Sequence, residues 1–399
     1  MNIHNLSSIY PRLVQDYQEI LLKLIQTQYI IESIPEPQKA EKISGEAFSL
    51  AHPIQGLLKY HGMFDPVNRI AFFPSISLNN GAISTITYLK FDPYLTQDKL
   101  ILNGVEKSNN LEYNRVVYQL NLIRKYSNIE TKAIVISKNI ETSSNYPIEG
   151  KGLGTSAAGG AAIAKAAFSI LYNHKTEYVN NVRFQSVFSR YLSGSASRSS
   201  VGGIGLWMSS PQNDTWHSFA LRLDKPQHEE FIKKVLLISI PIKSSITTSE
   251  AHKIAATSPL YLAWCLSRKN SVFDFLKAIY NEDLEKIGML AEEDSRKLHE
   301  IHISAGLGQR YWTEETLELM NYVLKKRMEG IPLYYSIDTG PSVVLLTFKK
   351  FEEEILEELD NIIDRDLKIY KGSIGGPSKL ITSDSNLAHL LDDDIEKFC

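Results

Sequence analysis

The sequence predicts an α+β protein in two halves, and three observations predict it. β-Branched and aromatic runs broken by turn residues fill positions 70–102. A strand, a glycine-rich loop and an alanine-rich helix follow one another between positions 133 and 168. An apolar strand at 235–240 then opens a second half in which helical and strand patterns mix. The division expected is a helical extension over 1–44, a first domain over 45–225 and a second over 226–399.

In chain order, positions 11–34 carry Leu13, Tyr17, Ile20, Leu21, Leu24 and Ile31 at helical spacing until Pro35 and Pro37 stop the pattern. Such an arm packs over the core or against a second subunit. With a terminal Cys399 expected to be exposed and twofold symmetry common among oligomers, it predicts a homodimer. Asn79-Asn80-Gly81 reads as a hairpin turn into the strand from Ile83 to Tyr88, and Ala133-Ile-Val-Ile-Ser137 as a further strand. The loop from Gly152 to Gly160 runs into a helix ending near Phe168. Helical patterns follow at 259–266, 272–284 and 313–328. Strands around Asp338 span 333–347, an amphipathic stretch spans 351–363, and a last strand falls near 367–370.

Lys and Arg number 43 against 46 Asp and Glu, a net charge of −3, so no global field favours nucleic acid or an anionic membrane. Any anion site must be local. No apolar run reaches the roughly 20 residues that span a bilayer, and the polar N-terminus lacks a signal-peptide pattern, which predicts a cytoplasmic protein. Two cysteines, Cys265 in an apolar stretch and Cys399, exclude a disulfide framework and a cysteine zinc site.

Four segments carry the chemistry. Around Arg198, the run Ser193-Gly-Ser-Ala-Ser-Arg-Ser-Ser200 combines small residues that let an anion approach with a guanidinium whose planar fork matches a carboxylate or phosphate. By itself the run equally describes a flexible loop with a surface arginine. Asp338 lies between an apolar strand and the turn Thr339-Gly340-Pro341, where an aspartate also serves as a turn residue. Lys59 follows Leu57-Leu58, a place that also suits a solvated lysine at a strand end. The loop from Pro147 to Gly160, with Lys151, Gly152, Gly154, Thr155 and Ser156, has the strand–loop–helix order of a phosphate site; Lys151 alone is equally a solvated side chain.

The Arg198 segment resembles the Gly-Ser-Gly-Ser-Ala-Cys-Arg-Ser motif of mevalonate diphosphate decarboxylases, members of the GHMP small-molecule kinase superfamily. Pro53-Ile-Gln-Gly-Leu-Leu-Lys-Tyr-His-Gly62 is similar to that family's Pro-Val-Asn-Ile-Ala-Val-Ile-Lys-Tyr-Trp-Gly-Lys. The segment from Gly152 to Ala162 resembles its phosphate loop, and Asp338-Thr-Gly-Pro-Ser342 its Asp-Ala-Gly-Pro-Asn. Four motifs in one order are far more specific than a single glycine-rich loop.

The resemblance implies a two-domain GHMP fold, with the phosphate loop in the first domain, a ferredoxin-like second domain and the site in the cleft between. It assigns catalysis to Asp338, Lys59 and Arg198, with Arg198 on the carboxylate that is lost. It assigns substrate contact to Tyr60, Ser193, Gly194, Ser195, Ser197 and His252. Two cations that grip the substrate's diphosphate in the family fall at Met63 and near His252, beside Lys253, which implies a weaker polyanion site. The loop also departs from the pattern, with one extra residue, Ala158 for a serine and Gly160 for an aromatic.

These departures fit the archaeal bisphosphomevalonate decarboxylases, which convert mevalonate 3,5-bisphosphate to isopentenyl phosphate, phosphate and carbon dioxide. No nucleotide, metal or electron-sink cofactor is then expected. The alternatives are an ATP- and magnesium-dependent diphosphomevalonate decarboxylase, a mevalonate or phosphomevalonate 3-kinase, and a degenerate binding protein.

Overall fold

The computed structural model describes residues 6–150, 152–244, 247–307, 312–362 and 366–399. Helix α1 (Tyr10–Gln26) precedes strands β1 (Gly45–Ala51), β2 (Ile54–Leu58), β3 (Met63–Asp65), β4 (Ile70–Ala71), β5 (Ser75–Asn79), β6 (Ile83–Asp92), β7 (Lys99–Leu102) and β8 (Val105–Lys107). Helix α2 (Leu111–Ser127) and β9 (Lys132–Glu141) lead to α3 (Thr155–Leu171), α4 (Thr176–Val179), α5 (Val182–Arg190) and α6 (Ala196–Val201), then β10 (Ile204–Met208) and β11 (Phe219–Arg222). The second half begins with α7 (Glu229–Lys234), β12 (Val235–Ile240), α8 (Thr248–Ala255), α9 (Tyr261–Tyr280), α10 (Leu284–His302) and α11 (Glu314–Met328). It continues through β13 (Tyr334–Ile337), β14 (Val343–Phe348), α12 (Glu352–Ile362), β15 (Tyr370–Ser373), β16 (Lys379–Ile381) and α13 (Asp392–Phe398).

Three sheets organise these elements in the orders β16-β1-β6-β9-β7-β8, β11-β10-β5-β2 and β13-β14-β12-β15. Helix α3, apolar nearly all round, packs between the first sheet and helices α2 and α5, where Ile163, Phe168, Leu120, Phe184 and Phe188 share one core. Gly160 makes the close packing possible, because a Cβ there would lie 3.0 Å from Ala196 Cβ and 3.1 Å from Leu192 Cβ.

The turn at Asn79-Asn80-Gly81 is not a hairpin. β5 lies in the second sheet and β6 in the first, so the segment carries the chain across. A tight two-residue hairpin needs positive φ at one or both central residues, and neither Asn80 nor Gly81 has it. Two of the turn's residues instead tie the sheets together: Asn80 N donates to Pro53 O at 2.7 Å, Asn80 Nδ2 to Ser239 Oγ at 2.7 Å, and Gly81 N to Ser373 O at 3.0 Å.

The N-terminal helix also ends earlier than expected. The Thr27 hydroxyl bonds the Lys23 carbonyl, Gln28 takes φ 64°, and Tyr29 N closes back on Leu24 O at 2.9 Å, so α1 terminates well before Pro35. The following strap is held through its carbonyls by hydroxyls of the first domain: Tyr126 bonds Pro35, Tyr178 bonds Glu36 and Tyr172 bonds Gln38. Leu13, Tyr17, Ile20 and Leu24 of α1 are buried against this same chain, with Tyr17 Oη donating to His217 O at 2.8 Å. The inner face of the arm therefore does not await a partner subunit.

In the second half, the patterns at 259–266 and 272–284 belong mostly to one helix, α9. The polar run Ser267–Ser271 hides this continuity, because Arg268 within it is buried at 1 % exposure through an ion pair with Asp294. The last strand of the third sheet is β15, a few residues beyond the expected 367–370. After it, β16 pairs with β1, Phe48 opposite Ile381, and Ala388 and Leu391 pack under the first sheet. The chain end thus returns to the first layer, which a simple break at 226 does not capture. Among the described residues, no helix is long and apolar enough to cross a membrane.

Candidate active site

Strand β2 delivers Lys59 and strand β13 delivers Asp338 from different sheets, each one residue past the strand end. The Lys59 ammonium lies 3.0 Å from Asp338 Oδ1 and also donates to Gly56 O and Ser336 Oγ, which engages all three of its hydrogens. The lysine side chain is 2 % exposed and the aspartate 42 %, so the ammonium is sealed in the protein while the carboxylate faces open space. Gly56 leaves room for the pair as it stands: a Cβ at this position would lie 2.7 Å from Asp338 Oδ1, so the carboxylate would have to shift.

Arg198 projects from the short helix α6, whose preceding turn contains Gly194. A side chain at 194 would collide with Tyr60 Oη at 2.8 Å and the Trp207 ring at 2.9 Å. The close packing puts the Arg198 guanidinium 5.3 Å from the Tyr60 ring centre. Arg198 Nη2 is 3.5 Å from Ser195 Oγ, and that hydroxyl is 3.3 Å from Tyr60 Oη. Arg198 is 1 % exposed, and its Nε and Nη1 have no hydrogen-bond partner. Burial lowers its pKa, opposed by the field of Tyr60 and Asp338. A buried guanidinium with unmet donors is a ready receptor for a carboxylate.

These groups line one cavity of about 450 Å³, together with Ser193, Gly194, Ser195 and the loop residues Gly152, Gly154, Thr155 and Ser156. Gly152 and Gly154 take φ of +77° and +66°, a conformation that favours glycine, and turn the chain into the first turn of α3. The sequence-predicted Lys151 lies outside the described residues. Ser197 does not line the cavity. It sits one helical position before Arg198, fully buried, with its hydroxyl donating to Gly194 O at 2.7 Å, so it braces the turn.

The cavity wall also holds what the sequence motifs did not reveal. Met63 lines it where the family carries a lysine, and His252 lines it as expected, but Arg69 and Arg115 line it too. Arg115 Nη2 donates to Ser249 Oγ at 3.0 Å, and both arginines have an Nε without a partner. The expected loss of cations is therefore offset from elsewhere in the chain, and not by Lys253, which is exposed. His252 Nδ1 accepts from Gly62 N at 3.0 Å and its ring stacks on His61, with centres 4.4 Å apart. Desolvation, with Arg69, His302 and Arg115 nearby, pushes His252 down to about 3, so it acts as a neutral group. Arg69 stands in the turn between two short strands and Arg115 on a polar helix surface; nothing local distinguishes either from a solvated arginine.

His61 and Gln55 are also in the wall. His61 Nε2 is 3.0 Å from Thr339 Oγ1 beside Asp338, and Gln55 Nε2 donates to Ser336 O at 3.2 Å. Among the described residues, the carboxylates spaced closely enough to share a metal ion are Glu329, Glu354 and Glu358. They already surround the Lys326 ammonium at 2.7, 3.0 and 2.7 Å.

The comparisons with known proteins agree with this geometry. Residues 51–220 match the family model of the diphosphomevalonate decarboxylase-like N-terminal domain, and residues 235–389 that of the mevalonate 5-diphosphate decarboxylase C-terminal domain. The chain is 28 % identical to a mevalonate 3,5-bisphosphate decarboxylase of Thermoplasma acidophilum, over 82 % of this chain and 78 % of that protein. It is 27 % identical to a phosphomevalonate decarboxylase of Haloferax volcanii, over 84 % and 98 %. The crystal structure of mevalonate diphosphate decarboxylase from Staphylococcus aureus superposes with a TM-score of 0.74 at 25 % identity, covering 85 % of this chain and 98 % of that one. Motifs, fold and both domain matches lead to one conclusion: the chain belongs to the mevalonate diphosphate decarboxylase family and has its GHMP-kinase fold.

Proposed function

We propose that this protein decarboxylates mevalonate 3,5-bisphosphate to isopentenyl phosphate, phosphate and carbon dioxide, a step of archaeal-type isoprenoid biosynthesis. The observation that carries the reading is the buried Arg198, with unmet donors, in the same cavity as the Lys59–Asp338 pair. Arg198 binds the substrate carboxylate and keeps it ionised. The bond from C3 to the phosphate oxygen breaks first, and phosphate leaves with the electron pair. The bond from the carboxyl carbon to C2 then breaks, its electrons form the C2–C3 double bond, and carbon dioxide departs.

Positive charge developing at C3 and negative charge on the leaving phosphate are what the site must stabilise. The α3 N-terminus with Thr155 and Ser156 faces the leaving phosphate, the buried Lys59 charge acts on it through its field, and Arg69, Arg115 and Ser249 hold the 5-phosphate. With the 3-phosphate already in place there is no hydroxyl proton to remove, so Asp338 orients Lys59 and shapes its field. Elimination of this kind needs no pyridoxal phosphate, thiamine or flavin.

A second reading, ATP- and magnesium-dependent decarboxylation of a 5-phosphate or 5-diphosphate, is favoured by the retained glycine conformations ahead of α3. Offering mevalonate 3,5-bisphosphate, 5-phosphate and 5-diphosphate, each with and without ATP and magnesium, and following carbon dioxide separates the two. Release only from the bisphosphate supports the first reading; release only with nucleotide replaces it. For assembly we keep a homodimer, now on the exposed outer residues Leu22, Ile25 and Ile30 of the N-terminal arm. Light scattering that gives a monomer at micromolar concentration would remove it.

A further inference from the structure

We infer that helix α10 sets the spacing of the Lys59–Asp338 pair, with Asp294 and Ser295 as positioning residues; the inference rests on reading that pair as the centre of the site. No β-ladder joins β2 to β13, because they belong to different sheets. Side chains of Gln55 and Ser336 join them directly, and one turn of α10 bridges their backbones at the pair itself. Asp294 Oδ2 accepts from Lys59 N at 2.6 Å, and Ser295 Oγ accepts from Ile337 N, the residue before Asp338, at 3.1 Å. Glu292 Oε1 accepts from Tyr335 N at 3.2 Å, two residues further back on the same strand. Neighbouring residues of a rigid helix therefore hold the backbone at both halves of the pair.

The construction behind Asp294 supports a positioning role. Its Oδ1 accepts from Arg268 Nη1 at 2.6 Å and lies 3.4 Å from Trp264 Nε1. Asp294 is 4 % exposed, and the Arg268 guanidinium lies 4.6 Å from the Trp264 ring centre and 5.5 Å from that of Phe73. Such a buried ion pair contributes little to stability compared with well-packed apolar residues. Its hydrogen-bonding output is the Lys59 amide, at the strand end where the ladder no longer supplies an acceptor. Reacting groups misplaced by about 1 Å can cost on the order of a hundredfold in rate, so a clamp that fixes this spacing has a large effect on turnover.

The test uses Asp294→Asn, which keeps an acceptor oxygen but loses the charge facing Arg268, and Ser295→Ala, which removes a single hydrogen bond and remains informative should the first variant fold poorly. Amide hydrogen exchange over residues 54–60 and 334–338 is measured on the full chain, and kcat and KM with the phosphorylated mevalonate the wild type consumes. We expect faster exchange at Lys59 in the first variant and at Ile337 in the second, with kcat down by about tenfold or more and KM within about twofold. In a Lys59→Met background, Asp294→Asn should cost no further kcat. Unchanged exchange at both amides, or a full independent loss in that background, would overturn the clamp. A wild type that releases no carbon dioxide would contradict the functional reading instead, while the exchange measurement still decides the positioning.

Discussion

At the scale of single residues, the site depends on charges placed where water cannot replace them. Arg198→Lys keeps the charge but not the planar fork, and we expect kcat/KM to fall by about a hundredfold, or about 2.7 kcal/mol of transition-state stabilisation. Near-normal kinetics in the folded variant would deny Arg198 the carboxylate. Gly56→Ala should lower kcat by about tenfold or more, since the added methyl meets Asp338 Oδ1 at 2.7 Å and separates the ion pair; an active variant with wild-type kcat would show that the pair tolerates displacement. Histidines give the pH dependence. His252 and His302 are pushed down to about 3 and about 4 and His61 well below its ordinary value, in each case first by burial. An unfolded chain binds protons at these groups near pH 6.5 while the folded chain does not, so stability is full above that pH and falls as pH drops toward 4. Urea midpoints should decline from pH 7 to 5, less steeply in His252→Asn, whose amide oxygen still accepts from Gly62 N; parallel profiles for the two proteins would contradict it. Lys59, Asp338 and Arg198 can be read from sequence because each sits in a local motif. Arg69 and Arg115 cannot, because only the fold brings them to the same cavity.

At the scale of elements, local signals succeed where the chain's own pattern decides and fail where distant contacts do. The strand at 235–240, the loop into α3 and the strands flanking Asp338 follow from apolar runs and glycine placement. Asn79-Asn80-Gly81 has hairpin composition yet serves as a crossing between sheets, because its side chains and amides are taken by Ser239, Pro53 and Ser373. The continuity of α9 is hidden by a buried arginine whose partner lies 26 residues away. For α1, the apolar face is readable but its destination is not. Since Ile20 is fully buried in the core that α1 shares with α9, Ile20→Ala should destabilise the protein by about 2–5 kcal/mol. Denaturant unfolding measures this, and a loss below about 1 kcal/mol would mean that the arm is only loosely attached.

For the whole molecule, three sheets meet around Asn79–Gly81, and the cavity lies where strand ends from two of them face helices α3 and α6. Arg198, the Lys59–Asp338 pair, the glycine loop, Arg69 and Arg115 all line that one cavity. Such a lining suits a substrate that carries a carboxylate and more than one phosphate. The most direct measurement is a phosphorus NMR time course of mevalonate 3,5-bisphosphate with the purified protein in chelator and without nucleotide. We expect the 3- and 5-phosphate signals of the substrate to be replaced by those of inorganic phosphate and isopentenyl phosphate, in equal amounts. A substrate that stays intact until ATP and magnesium are supplied would contradict the nucleotide-independent reaction.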